Sequence, residues 1–145
     1  MRETKSRAPL VLMEQVIMVL VFSLAAAFCV QAFALAGKTS RALEKRDHAM
    51  NVSQTLAETV KACEGDLKQV QNALGGEIQK DGITLFYDAD WEPVSDAEAA
   101  VYQAAFVEEE KEQLCRKGQV TVEECESGKE LFSLPAAWQE GGTDE

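Results

Sequence analysis

The chain has 145 residues, a formal net charge of −11 and four cysteines. An acidic surface repels phosphates, so this composition argues against a nucleic-acid partner. No two cysteines are spaced as a CxxC motif, which argues against a zinc site and against a dense disulfide framework. A single disulfide between Cys115 and Cys125 stays open beside the alternative of four free thiols.

A basic leader, residues 1–9, precedes an apolar run, residues 10–36, of sequence LVLMEQVIMVLVFSLAAAFCVQAFALA. As an α-helix, the part from residue 16 to residue 36 rises roughly 31 Å, which matches the hydrocarbon thickness of a bilayer, about 30 Å. The run therefore predicts a transmembrane helix in a lipid bilayer. Glu14 is a carboxylate near the start of this helix.

Basic residues lie on both sides of the apolar run, so the charge difference across it is small. The N-terminal group is opposed by one acidic residue, Glu3, and the positive-inside rule places this end in the cytoplasm. We predict a single-pass protein of the cell membrane with its C-terminal domain outside the cytoplasm. The basic residues are Arg2, Lys5 and Arg7 before the run and Lys38, Arg41, Lys45 and Arg46 after it.

Residues 37–76 are predicted to continue the same helix in an amphipathic form. Apolar residues recur there at alternating spacings of four and three, which is typical of one helix face. The pair Gly75 and Gly76 is a stop signal, because glycine readily supplies the left-handed cap that ends a helix. We therefore expect a helix from near Ala8 to Leu74. The apolar residues, here called the helix stripe, are Leu56, Val60, Cys63, Leu67, Val70 and Leu74.

Residues 77–140 change to the pattern of a small β domain. Residues 83–88 are β-branched and aromatic and predict a strand, and residues 88–93 carry the Asp and Pro of a turn. Residues 119–125 and 130–139 predict a hairpin, in which Pro135 should lie on an edge strand or at a bulge because it cannot donate a ladder hydrogen bond.

The segment between these strands allows two interpretations. Residues 95–98 form a capping-box pattern that favours a helix, whereas residues 101–109 favour a strand, which is our prediction. The last residues, 141–145, are predicted to be a disordered tail. Because the helix stripe must be buried, we expect it to pack on one face of the sheet, which gives an α+β fold: a long N-terminal helix, transmembrane then amphipathic, packed on a small antiparallel β-sheet.

The order of these segments resembles that of type IV pilins and of the pilin-like subunits of type II secretion and competence systems. The resembling features are the short basic leader, the apolar helix with Glu14 near its start, the amphipathic continuation and the small antiparallel sheet. In that family a prepilin peptidase cuts just before the apolar run, and the glutamate is the fifth residue of the mature chain. The resemblance implies a mature N-terminus at Leu10. This chain has Pro9 before the cut, where the family has Gly or sometimes Ala.

The resemblance also implies a function in assembly. Glu14 would pair with the terminal amine, here that of Leu10, on a neighbouring subunit within a filament of packed N-terminal helices. A carboxylate in an apolar bundle is costly unless a cation compensates it. The expected protein is a structural subunit of a type IV pilus, a competence apparatus or a type II secretion pseudopilus, with other pilin-like subunits as its partners.

Two other interpretations stay open. Ala34 and Ala36 before Gly37 satisfy the small-residue rule of signal peptidase, which would release a secreted acidic domain cut after Ala36. Alternatively, the stripe could pair with a partner helix in a membrane-anchored coiled-coil scaffold protein.

An enzyme is not predicted. His48 is the one histidine of the chain and stands among charged residues, as a solvated side chain does. No nucleophile stands in a recognisable setting and no phosphate-binding glycine loop occurs. Asp88, Asp90 and Glu92 alternate as calcium ligands can, but the rest of a twelve-residue loop is missing. We predict no cofactor and no metal site, and we interpret Tyr87, Trp91 and Trp138 as core or rim aromatics rather than as a ligand platform.

Overall fold

The computed structural model describes residues 7–109 and 115–139. They form two helices, six strands and a short 3₁₀ turn, Ala97–Ala99, which confirms the predicted α+β class. The chain divides into two compact units, Met1–Ala42 and Leu43–Glu145. The helices are α1, Ala8–Ala62, and α2, Leu67–Leu74; the strands are β1, Glu77–Gln79, β2, Gly82–Tyr87, β3, Pro93–Val94, β4, Tyr102–Glu108, β5, Cys115–Glu124, and β6, Glu130–Gln139.

The sheet is antiparallel throughout, with the strand order β1-β2-β4-β5-β6, and β3 pairs with the end of β2. The strand predicted at residues 83–88 is β2, and the ambiguous segment contains strand β4, as predicted, after the 3₁₀ turn. The predicted hairpin is β5 and β6, and Pro135 lies opposite Gln119 on the edge strand β6. Residues 141–145 lie outside the described part of the chain.

The core of the second unit lies between the sheet and the C-terminal turns of α1. In the helix stripe, Leu56, Val60 and Val70 are fully buried. The other three stripe residues, Cys63, Leu67 and Leu74, are half-buried and pack against the same core. The sheet side of this core is formed by alternate residues of the central strands, Ile83, Leu85, Ala104, Phe106, Val120 and Val122.

The prediction of one unbroken helix to Leu74 is wrong. The chain leaves the helix after Ala62, and α2 starts at Leu67. Gly65 has a φ of 79°, a conformation that favours glycine, and Asp66 then caps α2 by accepting a hydrogen bond from the backbone N–H of Lys68 at 3.0 Å. A Cβ on Gly65 would lie 2.8 Å from the Trp138 ring. The break therefore lets the chain pass closely over the end of the sheet.

All four cysteines are free thiols. Cys115 begins β5 and Cys125 follows its last residue. Since a strand rises about 3.3 Å per residue, the two thiols lie roughly 30 Å apart along the sheet. This separation excludes a disulfide between Cys115 and Cys125, because bonded cysteines need Cα atoms within about 7 Å of each other.

Candidate functional site

The first unit exposes a continuous apolar surface, formed by the apolar run at residues 10–36, here called the apolar segment. Every described residue of this unit is exposed, and the large apolar side chains between residues 10 and 35 are between 53% and 79% exposed. An apolar surface of this extent needs lipid or protein around it. By length and composition, α1 could cross a membrane, and its position near the N-terminus is compatible with a single-pass anchor.

The residues predicted to act in assembly lie close together at the start of α1. Pro9 stands in the first helical turn, where proline is tolerated because its missing N–H would have no partner there in any case. The backbone N–H of Leu10 donates to the carbonyl oxygen of Arg7 at 3.1 Å. Leu10 and Glu14 are four residues apart and so share one side of the helix. No ion pair to Glu14 forms within the described part of the chain.

The other polar side chains of the apolar segment differ in whether they form a hydrogen bond within the helix. The Ser23 hydroxyl donates to the carbonyl oxygen of Val19 at 2.7 Å, which satisfies it within the helix, as a lipid environment requires. Gln15 and Gln31 are exposed. Together with Glu14, these two amides are the polar groups that a bilayer or a neighbouring helix would have to accommodate.

An aromatic stack in the second unit fixes the loop between β2 and β3 against α1. The Trp91 ring lies parallel to the Tyr102 ring, with centroids 4.0 Å apart, and its other face stacks on His48 at 5.5 Å. Trp91 has a φ of 63°, which is strained for a residue with a side chain. Since both faces of the ring are covered, Trp91 is a packing residue, and His48 belongs to the same stack rather than to a separate site.

The carboxylate of Asp88 is used within this loop. Its Oδ1 accepts hydrogen bonds from the backbone N–H groups of Asp90 and Glu92, at 2.9 and 3.0 Å. The Asp88 carboxylate therefore stabilises a turn through the backbone of the two other acidic residues. The described residues contain no group of three or more His, Cys, Asp or Glu side chains that could hold a metal ion.

A salt bridge joins α1 to the end of β5 beside the stack. Lys45 Nζ lies 3.1 Å from Glu124 Oε1 and 5.8 Å from the Tyr102 ring centroid. Hydrogen bonds from the Ser127 hydroxyl and from the Lys45 ammonium lower the pKa of Glu124, and the same contact with Glu124 raises the pKa of Lys45. Two residues that are 79 positions apart are thus held together.

The Glu124 contact predicts a small dependence of stability on pH. Because the folded state lowers the pKa of Glu124, its stabilising effect is complete above the ordinary value of 4.5 and is lost as the pH falls through the folded-state pKa. We expect Glu124→Gln to reduce the free energy of unfolding by about 0.5 kcal/mol at pH 7, typical of a partly exposed pair. Urea unfolding at pH 7 and pH 3 should show this difference shrinking in acid. Glu126→Gln, in the same turn, is the control and should change stability at neither pH.

Arg116 holds the break between the two helices against the sheet. Its Nε and Nη2 donate to the two carboxylate oxygens of Glu108 at 2.7 and 2.8 Å, and its Nη1 donates to the carbonyl oxygen of Glu64 at 3.2 Å. The guanidinium also lies 5.5 Å from the Trp138 ring centroid. A bidentate, half-buried pair of this kind fixes geometry well. It therefore positions the backbone at the break between α1 and α2.

A shallow pocket lies beside the gap between β1 and β3. Its volume is about 80 Å³, below the range of roughly 300–1,000 Å³ of most small-molecule sites. It can hold little more than a few water molecules. Its lining is formed by Leu74, Gly75, Gly76, Leu85, Phe86, Tyr87, Pro93, Val94 and Ser95.

Comparison with protein families, with curated proteins and with solved structures found no match. The exposed apolar segment of the first unit, with Glu14 near its start, is the strongest candidate functional site. The contacts of Trp91 and Arg116 could not be found from the sequence, because no local pattern marks them.

Proposed function

We propose that this chain is a pilin-like structural subunit, which assembles through the apolar segment of α1 into a type IV pilus, a competence apparatus or a type II secretion pseudopilus. One observation carries the proposal. A single helix, α1, supplies both an exposed apolar segment with a carboxylate near its start and the helical layer of a folded sheet unit. A subunit of this kind works through packing rather than through chemistry.

The apolar segment is buried in two different surroundings, before and after assembly. Before assembly it is stored in the bilayer, whose thickness it fits. After assembly the same surface is buried against the helices of other subunits, and the sheet unit is carried outside the cytoplasm. Glu14 fixes how neighbouring helices align with each other, because a carboxylate in an apolar bundle must pair with a cation. The free amine of Leu10 on a neighbouring subunit, left by a prepilin peptidase, would be that cation.

The coiled-coil alternative is less well supported. It needs the helix stripe to face a partner helix, but Leu56 and Val60 have no exposed surface because the sheet of the same unit covers them. A partner helix would have to displace the sheet from this face. The function through the exposed apolar segment needs no such displacement.

The test of the assembly function uses Glu14→Ala in the native host. We expect normal membrane insertion, measured by resistance to alkaline extraction, and about a tenfold loss from sedimentable assemblies, because an unpaired amine is left in the bundle. The matched control is Glu44→Ala, which removes an exposed carboxylate of α1 outside the apolar segment. Equal incorporation of Glu14→Ala and the unmodified chain would contradict the role of Glu14.

The N-terminal residue of the mature protein tests the processing that the proposal requires. Mass spectrometry of the protein from its native host should give a chain that starts at Leu10. An intact leader would instead indicate an anchored protein without pilin-type processing. A start at Gly37 would remove the apolar segment, and the proposed function with it.

A further inference from the structure

Two cations at the C-terminal end of the apolar segment form no salt bridge within the described part of the chain. Lys38 and Arg41 are both exposed on α1 and, three residues apart, share one side of the helix. The sequence holds no Asp or Glu between Glu14 and Glu44. Glu14 is roughly 36 Å away along the helix from Lys38. Glu44, three residues after Arg41, is the nearest acidic residue along the chain, and it forms no ion pair with either cation within the described residues.

We propose that Lys38 and Arg41 form a binding site for the phosphate group of an anionic phospholipid in the leaflet at this end of the apolar segment. This inference rests on the membrane insertion that the proposed function requires. It does not depend on Glu14 or on the processing of the leader.

The position of the two cations matches the depth of lipid phosphates. The predicted span ends at Ala36, so Lys38 and Arg41 stand about 3 Å and 7 Å beyond it along the helix. Their long side chains can keep the apolar stems against the bilayer and the charged groups among the headgroups. At this depth phosphates surround the helix on every side.

The chemistry of the pair suits a phosphate. The planar guanidinium of Arg41 can donate two parallel hydrogen bonds to phosphate oxygens, and the ammonium of Lys38 adds a compact charge beside it. Lys45, the next lysine along α1, is already paired with Glu124 in the second unit. Lys38 and Arg41 are therefore the cations without a described salt bridge that lie nearest to the apolar segment, and the exposed Arg46 lies five residues beyond Arg41.

The helix surface below the two cations leaves room for an acyl chain. Ala34 is four residues before Lys38 and seven before Arg41, so it lies on the same side of the helix. The adjacent side chains are large and exposed, Phe33 at 79% and Leu35 at 67%. A lipid with its phosphate at the cations could place a chain over Ala34, between these two side chains.

The experiment measures lipid preference around the full-length protein. The chain is reconstituted into phosphatidylcholine vesicles that contain a trace of spin-labelled phosphatidylglycerol or spin-labelled phosphatidylcholine. Electron paramagnetic resonance then gives the ratio of the two association constants from the motionally restricted lipid. We expect the unmodified protein to prefer phosphatidylglycerol at low salt and to lose most of that preference in 0.5 M NaCl, because salt screens the contact.

The variant Lys38→Gln with Arg41→Gln should lower the preference at least about fivefold, since one basic side chain at an anionic surface typically contributes a factor of that size. The leader keeps its basic residues in every sample and contributes a constant background. The matched control is Lys61→Gln with Lys68→Gln, which removes two exposed lysines of the second unit and should leave the preference unchanged.

The outcomes separate this inference from the proposed function. A protein that co-floats with vesicles after an alkaline wash but has the same preference with and without the two cations overturns the lipid site alone. If the lipid preference is unchanged and chemical cross-linking between copies is lost in the variant Lys38→Gln with Arg41→Gln, the lipid site is again overturned. The two cations would then contact a second copy of the chain. A protein that does not co-float overturns the membrane anchor on which both proposals rest.

Discussion

Replacement of Gly82 by alanine is expected to prevent stable folding of the sheet unit. Gly82 begins β2 and lies opposite Val107 of β4. A Cβ at this position would collide with the carbonyl oxygen of Phe106 and lie 3.2 Å from the Cα of Val107. These are backbone atoms of a central strand, so they cannot rotate away as a side chain could. We expect a loss of about 3 kcal/mol or more, a large part of the stability of a small domain.

Urea unfolding of the full-length protein in detergent measures this effect. Both tryptophans of the chain, Trp91 and Trp138, lie in the second unit, so their fluorescence reports on the sheet. The matched control is Gly37→Ala, because no heavy atom lies within 4 Å of a Cβ at Gly37. Alanine there should leave the sheet unit unchanged and favour α1 by up to about 1 kcal/mol. Similar unfolding midpoints for Gly82→Ala and the unmodified chain would show that β2 and β4 are not packed as described.

Leu56→Ala is expected to cost about 3 kcal/mol, within the range measured for buried leucines. Leu56 has no exposed surface and lies in the core between α1 and the sheet. Its truncation removes apolar contacts and leaves a cavity, because the strands that pack against it cannot collapse fully into the space. The variant would thus lose much of the apolar packing between α1 and the sheet.

The control for this second variant is Leu43→Ala on the same helix. Leu43 is 54% exposed, so its truncation should change the free energy of unfolding by no more than about 0.5 kcal/mol. The pair compares one chemical change at a buried and at an exposed position, measured by the same unfolding experiment. Equal effects at the two positions would argue that the stripe does not pack on the sheet.

Leu56→Ala and Glu14→Ala together also test the proposed assembly function. If α1 is both the assembly element and the helical layer of the sheet unit, Leu56→Ala should weaken the sheet unit without changing membrane insertion, which depends on residues 10–36. Glu14→Ala should leave both the sheet unit and membrane insertion intact and should reduce incorporation into assemblies, since Glu14 lies outside the second unit. The different positions of these residues on one helix make the two effects separable.

Much of the fold follows from local patterns in the sequence. The apolar run at residues 10–36 predicts a helix because of its length alone, and the alternation in residues 119–125 and 130–139 predicts strands that the structure has. The position of Pro135 on the edge strand β6 is confirmed, and it follows from the lack of an N–H group that could donate a ladder hydrogen bond. The sequence pattern does not predict the break at Gly65, because the apolar period continues across it, although Gly65 and the capping residue Asp66 are themselves local signals.

Local sequence patterns predict the apolar segment, the place of Glu14 in it, the four longer strands and the burial of the stripe, because hydrophobic periodicity and turn residues are features of a few neighbouring positions. They do not predict the short strands β1 and β3. The stacking of Trp91 on both His48 and Tyr102, and the contact of Lys45 with Glu124, 79 residues further along the chain, are visible in the folded structure alone. Such pairings depend on how distant segments meet in the fold, and no local pattern of residues encodes them.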